Sequence, residues 1–432
     1  MAPNECNEPA ATDSSAGLFG TSVTLECLER KLQKVLDTSA TFGSKLSTDQ
    51  IGYGLGFMSV MVRLKPDWQG EKADELPKSF AVKIPSIITM ESFAKQAHWE
   101  EKFKDSNAEN FDMEEHFKSF AGVLQSAHAS EVTFYHMIKK DGLKLQVPKC
   151  YLAEHFGPNG ENGLLIMEDL GNIATTKPIY ETLSVESVKA VLENLAEVHA
   201  YSLQNDQWLS NPDLKMTFGK FEKQTSNTLE HMIRNSLNIL KTDHAALFDP
   251  LIDRLVEICK EELDFDYTDT IHEKLGLPPV MTHCDLWSNN MMWRKTEDGK
   301  GTTGELAAIV DWQLVHPGCI GEDFVRLLCT SAGTDVRRDH LEELFQHYHT
   351  SLKAKMGKEP PFTVAQIIHA YKHLFRYGAL VVLPGLEGFS QADLGMMGTE
   401  NVEQHRQDVI NRAKCLVDDL YEIEDELALE KA

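Results

Sequence analysis

The chain has 432 residues, of which 42% are hydrophobic and 25% are charged, a composition typical of a globular protein rather than a disordered one. The usual domain has roughly 150 residues, so we expect two lobes or domains. Acidic residues outnumber basic ones by 67 to 42, which gives a formal net charge of −25. A field of that sign repels phosphate backbones and anionic lipids, so the composition disfavours nucleic acid and membrane as partners.

The N-terminal segment and the cysteines bear on location. Residues 1–20 are polar and contain no basic stretch followed by an apolar one, so we expect a flexible tail and no signal peptide. No apolar run approaches the roughly 20 residues that span a bilayer. The eight cysteines include no C-x-x-C pair, which favours reduced thiols over disulfides or a zinc ribbon. The sequence therefore predicts a cytoplasmic location.

Periodicity divides the rest of the chain into a β-rich part and a helical part. Helices are predicted over 21–37 and 126–139, and strands within 51–64, 80–84, 147–152 and 164–167. After Gly171, helical patterns cover 184–204, 226–240, 247–265, 337–356, 363–380 and 401–430, with two strand-like pieces at 290–293 and 306–310. We therefore expect an α+β fold. A small five-stranded antiparallel-sheet lobe at 21–170 would pack on a helical lobe at 171–432, with a ligand-binding cleft between them.

The most informative stretch, Met281–Trp293, reads Met-Thr-His-Cys-Asp-Leu-Trp-Ser-Asn-Asn-Met-Met-Trp. It contains H-x-D-x-x-x-x-N as His283, Asp285 and Asn290, and Asp311 follows the next apolar strand. Phosphoryl transfer needs one carboxylate to accept the proton of the attacking hydroxyl, and a second carboxylate with an amide oxygen to hold Mg²⁺. Each residue alone is explained as well by a turn cap, a core histidine or a strand end. The combination favours phosphoryl transfer.

An upstream lysine agrees with that chemistry. Lys83 lies within the apolar strand 80–84, where a lysine is costly to bury unless it is paired or used. Glu131, on the predicted helix 126–139, is an available partner, and such a pair can aim the ammonium at nucleotide phosphates. The alternative interpretation is an edge lysine and a solvated glutamate.

Two further segments are candidates for nucleotide contacts. In Gly52-Tyr-Gly-Leu-Gly-Phe-Met-Ser59, the three glycines Gly52, Gly54 and Gly56 would let backbone N–H groups approach a polyphosphate, although a plain hairpin turn explains them equally well. The segment Leu-Leu-Ile-Met-Glu-Asp-Leu170 links the two predicted lobes. We expect its backbone to pair with an adenine edge at Met167, Glu168, Asp169 and Leu170.

The order of these features resembles the protein-kinase-like fold, and in particular its small-molecule branch, the aminoglycoside phosphotransferase and choline kinase relatives. Four blocks are similar to the CHK kinase-like proteins, which include the ecdysteroid kinase-like group and a nematode group of unknown function: Glu-Val-Thr-Phe-Tyr135, Leu-Ala-Glu-Val-His-Ala-Tyr-Ser202, Thr-His-Cys-Asp-Leu-Trp-Ser-Asn-Asn290 and Gly-Glu-Asp-Phe-Val-Arg-Leu-Leu328. The resemblance covers about residues 20–425. It implies that Asp285 is the catalytic base, that Asn290 and Asp311 bind Mg²⁺, and that Lys83, paired with Glu131, binds the phosphates of ATP. His199 and Asp323 would be scaffold residues.

Several departures from the family pattern narrow the prediction. Cys284 stands where small-molecule kinases usually have glycine, Asp311-Trp-Gln replaces Asp-Phe-Gly, and no Ala-Pro-Glu segment follows, so a protein substrate is disfavoured. The glycine-rich loop ends in Phe57 rather than glycine. A zinc centre is also disfavoured, because the nearby residues that could ligate it, His272, His283, Cys284 and Asp285, lack a second ligand pair with zinc spacing.

The leading hypothesis is an ATP- and Mg²⁺-dependent phosphotransferase acting on a hydroxyl group of a small molecule. The alternatives are a catalytically silent nucleotide- or metabolite-binding module, and an acyl- or choline-binding scaffold that uses the cleft without transfer. The expected partner is a small-molecule alcohol, neutral or cationic because of the net charge, and choline, a sterol and a glycoside all stay open. The segment Tyr371–Met397, which is helical and aromatic, is the candidate wall of the substrate pocket beside Asp285.

Overall fold

The computed structural model describes residues 17–52, 56, 58–96, 113–158, 161–225, 228–260, 265–391 and 397–430. Within these ranges the chain forms a small lobe built on one antiparallel sheet and a larger, mainly helical lobe. The α+β, two-lobed architecture predicted from the sequence is thereby confirmed.

The sheet of the small lobe contains β1 (Ser47–Ile51), β2 (Ser59–Lys65), β3 (Phe80–Pro85), β4 (Cys150–Glu154) and β5 (Leu164–Glu168), in the spatial order β1-β2-β3-β5-β4. All neighbouring strands are antiparallel, and Met61 of β2 lies opposite Lys83 of β3. Alternate residues of β2, Val60, Val62 and Leu64, are fully buried, as expected for a strand with one face on a core. Lys83 therefore lies on a central strand, at a fixed register.

Within the described residues, three α-helices accompany the sheet: α1 (Leu25–Leu36), α2 (Ile88–Gln96) and α3 (Met113–Asp141). The hydroxyl of Thr24 caps α1 by accepting the N–H of Cys27 at 3.2 Å. Packed structure begins earlier than residue 21, because Leu18–Gly20 forms a 3₁₀ turn whose Leu18 is buried in the same core. The rest of the predicted tail, residues 1–16, lies outside the described residues.

The large lobe is mainly helical. Its helices are α4 (Val185–Gln204), α5 (Phe218–Gln224), α6 (Thr228–Asp243), α7 (Ala245–Lys260), α8 (Phe265–Lys274), α9 (Ile320–Ser331), α10 (Thr334–Asp339), α11 (Leu341–Met356), α12 (Val364–Gln391) and α13 (Val402–Glu430). One continuous hydrophobic core joins α4, α9, α11 and α12. Among the described helices, none is both long and apolar enough to cross a membrane.

The strands of the large lobe are more numerous than predicted. The expected pieces are β8 (Met291–Lys295) and β9 (Thr302–Ile309), which form an antiparallel hairpin. Three further strands, β6 (Ala174–Thr176), β7 (Val280–Thr282) and β10 (His316–Gly318), have three residues each. Strands this short carry no readable alternation, so a sequence pattern does not reveal them. Two of them matter for the site, because β7 pairs with β10 and brings His316 opposite Thr282.

Candidate active site

Lys83 joins the two lobes. Its Nζ atom lies 2.6 Å from Oε2 of Glu131 on α3 and 2.6 Å from Oδ1 of Asp311, and only 6% of the residue is exposed. Burial opposes the charged form, but the two adjacent carboxylates outweigh it, so the pKa of Lys83 is raised above its usual value. The structure thus brings together three residues that the sequence predicted to act together, and Lys83 stays protonated.

Glu131 acts on Lys83 rather than on the open cleft. It is 1% exposed, and the backbone N–H of Trp312 donates a second hydrogen bond to it. Burial raises the pKa of the Glu131 carboxyl, and the Lys83 ammonium opposes that shift. Its geometry is that of a residue that positions the Lys83 ammonium, as expected for the predicted partner of that lysine.

The loop that carries Asp285 is held by His283, which is fully buried. Nε2 of His283 lies 3.0 Å from the carbonyl oxygen of Val310, and the backbone N–H of Asp285 donates to Nδ1 at 3.2 Å. Because Nδ1 accepts, the ring is neutral with its proton on Nε2. This histidine therefore ties the Asp285 loop to Val310, the residue between β9 and Asp311.

Asp323 supports the same loop from α9. Its carboxylate accepts the backbone N–H groups of His283 at 3.0 Å and Cys284 at 2.7 Å, and it lies 3.3 Å from Nε2 of His199. Burial alone would raise the pKa of Asp323, but the hydrogen bonds from His199 and from the loop hold it below its usual value. His199 and Asp323 are both fully buried, which fits the scaffold role that the family resemblance implied.

Asp285 faces two partners. Arg326 of α9 donates to its Oδ1 from Nη2 at 2.8 Å and from Nε at 3.2 Å. The Asn290 side-chain amide donates to the Asp285 carbonyl at 2.8 Å and to Oδ2 at 3.1 Å. Arg326 was not singled out by the sequence analysis, although a lone cation within the otherwise apolar run Phe-Val-Arg-Leu-Leu was a readable signal.

Asn290 and Asp311 lie next to the two strand termini that meet at the open end of the β8–β9 hairpin. Asn290 directly precedes β8, and Asp311 follows β9 with Val310 between them. The N–H of Val310 donates to the Asn290 carbonyl at 2.9 Å. Asp311 has a positive φ of 67°, a conformation that is costly for a non-glycine residue and that is found preferentially at functional sites. Since the Asn290 amide nitrogen is used on Asp285, its amide oxygen stays available to a cation.

The candidate nucleotide segments are only partly described. Gly52 has a φ of +64°, and a Cβ atom at Gly52 or Gly56 would meet nothing within 4 Å. Gly54 lies outside the described residues. The loop therefore has the open space that a polyphosphate needs at its two described glycines, and its role stays a prediction.

In the lobe linker, Met167 and Glu168 belong to β5. The Asp169 carboxylate pairs with Arg63 at 2.7 Å and accepts the Ser79 hydroxyl at 2.6 Å, so this side chain stabilises the small lobe. Those contacts, with a hydrogen bond from Gly171, keep its pKa low despite burial. The Leu170 carbonyl accepts the N–H of Ala174 at 2.8 Å. Contact of this linker with adenine stays a prediction.

Aromatic residues near the site belong mostly to the core. Trp312 is fully buried and stacks on Phe134, with ring centroids 4.1 Å apart. Tyr371 and Phe375 are buried and pack edge to face inside the helical lobe, so the expectation that this part of α12 lines a substrate pocket is wrong for Phe375. Helix α12 also continues through Pro384 to Gln391, beyond the helical pattern predicted over 363–380. Helix periodicity alone does not tell an apolar pocket wall from a core face.

Together, the lobes and the cluster between them define a bilobal, protein-kinase-like chain. The family model described as "Uncharacterized oxidoreductase dhs-27", DUF1679, matches residues 11–427, so the chain belongs to that family. The nematode group to which the sequence pointed is thereby confirmed.

Two curated relatives come from Caenorhabditis elegans. "Uncharacterized oxidoreductase dhs-27" is 26% identical over 342 residues, which are 78% of this chain but 38% of that protein. The chain thus spans well under half the length of this relative. "Uncharacterized kinase-like protein D1044.1" is 24% identical over 363 residues, 81% of this chain and 85% of that protein. Among solved structures, Plasmodium vivax ethanolamine kinase Pv091845 is 14% identical with a TM-score of 0.38, over 93% of this chain and 91% of that one.

Proposed function

We propose that the protein is an ATP- and Mg²⁺-dependent phosphotransferase that acts on a hydroxyl group of a small molecule. The observation that carries this proposal is the buried Lys83 ammonium bridging Glu131 and Asp311 across the two lobes. Burying a lysine between two lobes costs free energy, because its charge is removed from water and must be offset by fixed partners. A lysine without a function is therefore not expected at this position. A cation held in this way is suited to the phosphates of a nucleotide.

Mg²⁺ fits the groups at the β8–β9 hairpin. The amide oxygen of Asn290 and the carboxylate of Asp311 are hard oxygen donors, which Mg²⁺ prefers together with water and phosphate. Lys83 occupies Oδ1 of Asp311, which leaves Oδ2 for a metal ion. When bound, the ion would neutralise charge on the transferring phosphoryl group.

Asp285 is the proposed base. It lies five residues before Asn290 in the chain. Hydrogen bonds from the Asn290 amide and the Arg326 guanidinium fix the orientation of its carboxylate. A carboxylate positioned in this way can accept the proton of an attacking hydroxyl. Because the Arg326 guanidinium lies against it, we propose a neutral alcohol as acceptor rather than a quaternary ammonium such as choline, which Arg326 would repel.

An oxidoreductase activity, which the name of the dhs-27 relative would suggest, has weaker support. Gly299-Lys-Gly-Thr-Thr-Gly304 has the G-x-G-x-x-G spacing of a dinucleotide site. That motif works at a turn from a parallel strand into a helix, where the helix N-terminus meets the pyrophosphate. Here it is the turn of the antiparallel β8–β9 hairpin. The name of the second relative, a kinase-like protein, agrees with the proposal.

Calorimetric titration with ATP, with and without Mg²⁺, tests the nucleotide part. We expect saturable binding that strengthens with Mg²⁺ and that Lys83→Met abolishes. Absence of Mg²⁺-dependent binding would refute the proposal and leave a scaffold function.

A screen of hydroxylated metabolites for ADP release then tests transfer, with Asp285→Asn as the matched control. We expect release with the wild-type protein and loss of it in the variant. Mg²⁺-dependent nucleotide binding without release from any acceptor would favour the catalytically silent module instead. With either kinase-like function we propose a cytoplasmic location, in keeping with the reduced cysteines of the described chain.

A further inference from the structure

A second cluster of potential metal ligands lies behind the Asp285 loop. The ligand atoms of Cys284, His316 and Glu322 all lie within 4.8 Å of one another. Cys284 is 9% exposed, Glu322 is 6% exposed and His316 is 1% exposed. Their sequence separation hides this cluster, and it forms because β7 pairs with β10 just before α9 begins.

The three side chains converge on one carboxylate oxygen. Oε2 of Glu322 lies 3.0 Å from Nε2 of His316 and 3.9 Å from Sγ of Cys284, while its other oxygen accepts the N–H of Cys319. On the far side of the imidazole, Nδ1 of His316 lies 2.8 Å from the carbonyl oxygen of Leu314. A backbone carbonyl on one ring nitrogen is the usual support of a histidine whose other nitrogen binds a metal.

Two further features point to this cluster. Cys284 has a φ of +66°, where a glycine would fit without strain, so a side chain here has an energetic cost. His272 of α8 is also buried, and its Nδ1 has no hydrogen-bond partner within the described part of the chain. Helix α8 packs against β10, the strand that carries His316, so this Nδ1 atom lies on an element adjacent to the cluster.

We propose that Cys284, His316 and Glu322 bind one Zn²⁺ ion directly behind the Asp285 loop. Sulfur, imidazole nitrogen and carboxylate oxygen are the ligand types of zinc, whereas the oxygen donors of Asn290 and Asp311 suit Mg²⁺. The fourth position is open to water or to His272. Coordination replaces the thiol proton of Cys284 and the proton between His316 and Glu322, and both protons leave to solvent. Because Cys284 precedes Asp285, bound zinc would fix the backbone that carries the proposed base.

The competing explanation is a metal-free hydrogen-bonded network in which protonated His316 pairs with Glu322. The two explanations differ in what sulfur does. In the network the thiol is a weak donor, and deleting it changes little, whereas in the zinc site the thiolate is a ligand. Cys284→Gly separates them, because glycine adopts the observed φ without strain and removes the CH₂–SH side chain without supplying another ligand.

The full-length protein, stripped with a chelator, is titrated with Zn²⁺ and with Co²⁺ as the spectroscopic probe. We expect one Zn²⁺ per chain and a thiolate-to-cobalt charge-transfer band. Cys284→Gly should lose the band and weaken zinc binding by more than about 100-fold, beyond the usual effect of losing a supporting hydrogen bond. Cys329→Ser, which removes another fully buried thiol from α9, is the matched control and should bind as the wild type does.

X-ray absorption at the zinc edge of the wild-type protein tests the proposal without any variant. One sulfur among nitrogen and oxygen ligands is expected. The proposal is overturned by a protein that binds no stoichiometric zinc, by a sulfur-free ligand set, or by a cobalt band that survives in Cys284→Gly. The test does not depend on phosphotransferase activity, so its failure would leave the proposed function untouched.

Discussion

Asp285 and Asp311 are carboxylates of one cleft with different neighbours. Asp285 contacts Arg326 and the Asn290 amide, whereas Asp311 contacts the Lys83 ammonium. Conversion of each to asparagine keeps size and removes charge, so the two variants should report on different steps.

Asp285→Asn should lower kcat by roughly 10²–10⁴, the usual contribution of a positioned base, with little change in Mg-ATP affinity. Turnover on an identified alcohol and calorimetric titration measure the two quantities. Asp74→Asn, an exposed carboxylate of the small lobe, is the control. Near-normal turnover in Asp285→Asn would show that Asp285 is not the base.

Asp311→Asn should weaken Mg²⁺-dependent nucleotide binding as well as turnover, because it takes a negative charge from the proposed metal site. Titration with ATP at several Mg²⁺ concentrations distinguishes this loss from a loss of nucleotide binding in general. If the variant bound Mg-ATP as the wild type does, the metal site would have to lie elsewhere.

Lys83 also carries a stability prediction. Lys83→Met leaves Glu131 buried without its cation, so we expect the free energy of unfolding to fall by about 3–5 kcal/mol. The double variant Lys83→Met/Glu131→Gln should lose less than the sum of the single variants, because the fully buried Glu131 charge is removed together with its cation and only the partly exposed Asp311 is left unpaired. Denaturant unfolding measures all three.

The control for that double-variant cycle is Lys118→Met, on the helix α3 that also carries Glu131. Lys118 pairs with Glu114 at 2.7 Å, but both side chains are more than two-thirds exposed, so the expected change is at most about 1 kcal/mol. If Lys83→Met lowered the free energy of unfolding no more than Lys118→Met does, the Lys83–Glu131 pair would not be a buried ion pair.

At the scale of a single element, Glu222 makes α5 sensitive to pH. It is 3% exposed and accepts the N–H groups of Leu229 and Glu230 at 3.2 and 2.9 Å. Burial raises its pKa from 4.5 to about 7, against the effect of those hydrogen bonds. The folded protein therefore holds a proton that the unfolded chain releases between these values, so this group costs stability as the pH rises from about 4.5 to 7.

Glu222→Gln keeps a carbonyl acceptor and removes the titration. Relative to the wild type it should gain stability progressively over that pH range, reaching at most about 3 kcal/mol at neutral pH. Urea unfolding at a series of pH values measures the difference, in which all other titrating groups cancel. Glu186→Gln, on the exposed first turn of α4, should run parallel to the wild type. If the stability of Glu222→Gln followed that of the wild type in parallel over this pH range, the raised pKa of Glu222 would be contradicted.

At the scale of the whole molecule, the net charge of −25 acts on any anionic ligand. The ammonium of Lys83 is already offset by two carboxylates, so the cleft does not hold a large uncompensated positive charge at that point. Salt screens long-range repulsion, with a Debye length of about 8 Å at physiological ionic strength.

Association of Mg-ATP should therefore become faster with added salt, by up to about tenfold, the low end of electrostatic effects on association. Stopped-flow measurement from low to high salt gives the rate constants, and neutral adenosine serves as the control with little expected change. A rate that falls with salt would indicate that a local basic field outweighs the net charge.

Much of the architecture was determined by local sequence patterns. Alternation in β2 and the helical period of α4 predicted elements that the structure confirms, because one buried face leaves a repeating signal along the chain. The strand β3 was predicted instead from its apolar, β-branched and aromatic residues, which fit a strand buried on both faces. The H-x-D-x-x-x-x-N spacing and a lysine in an apolar strand were also readable in one dimension. The ion pairs of Lys83 with Glu131 and Asp311 agree with that interpretation.

Only the tertiary structure decided which distant side chains meet. Arg326 reaches Asp285 because α9 packs behind the loop, and Cys284 meets His316 and Glu322 because two three-residue strands pair. It also decided that Phe375 belongs to the core and that Asp169 stabilises the small lobe. A periodic pattern indicates that one face of an element is buried, but it does not indicate which other element packs against that face. Contacts between residues far apart in sequence depend on packing and register, which local spacing does not encode.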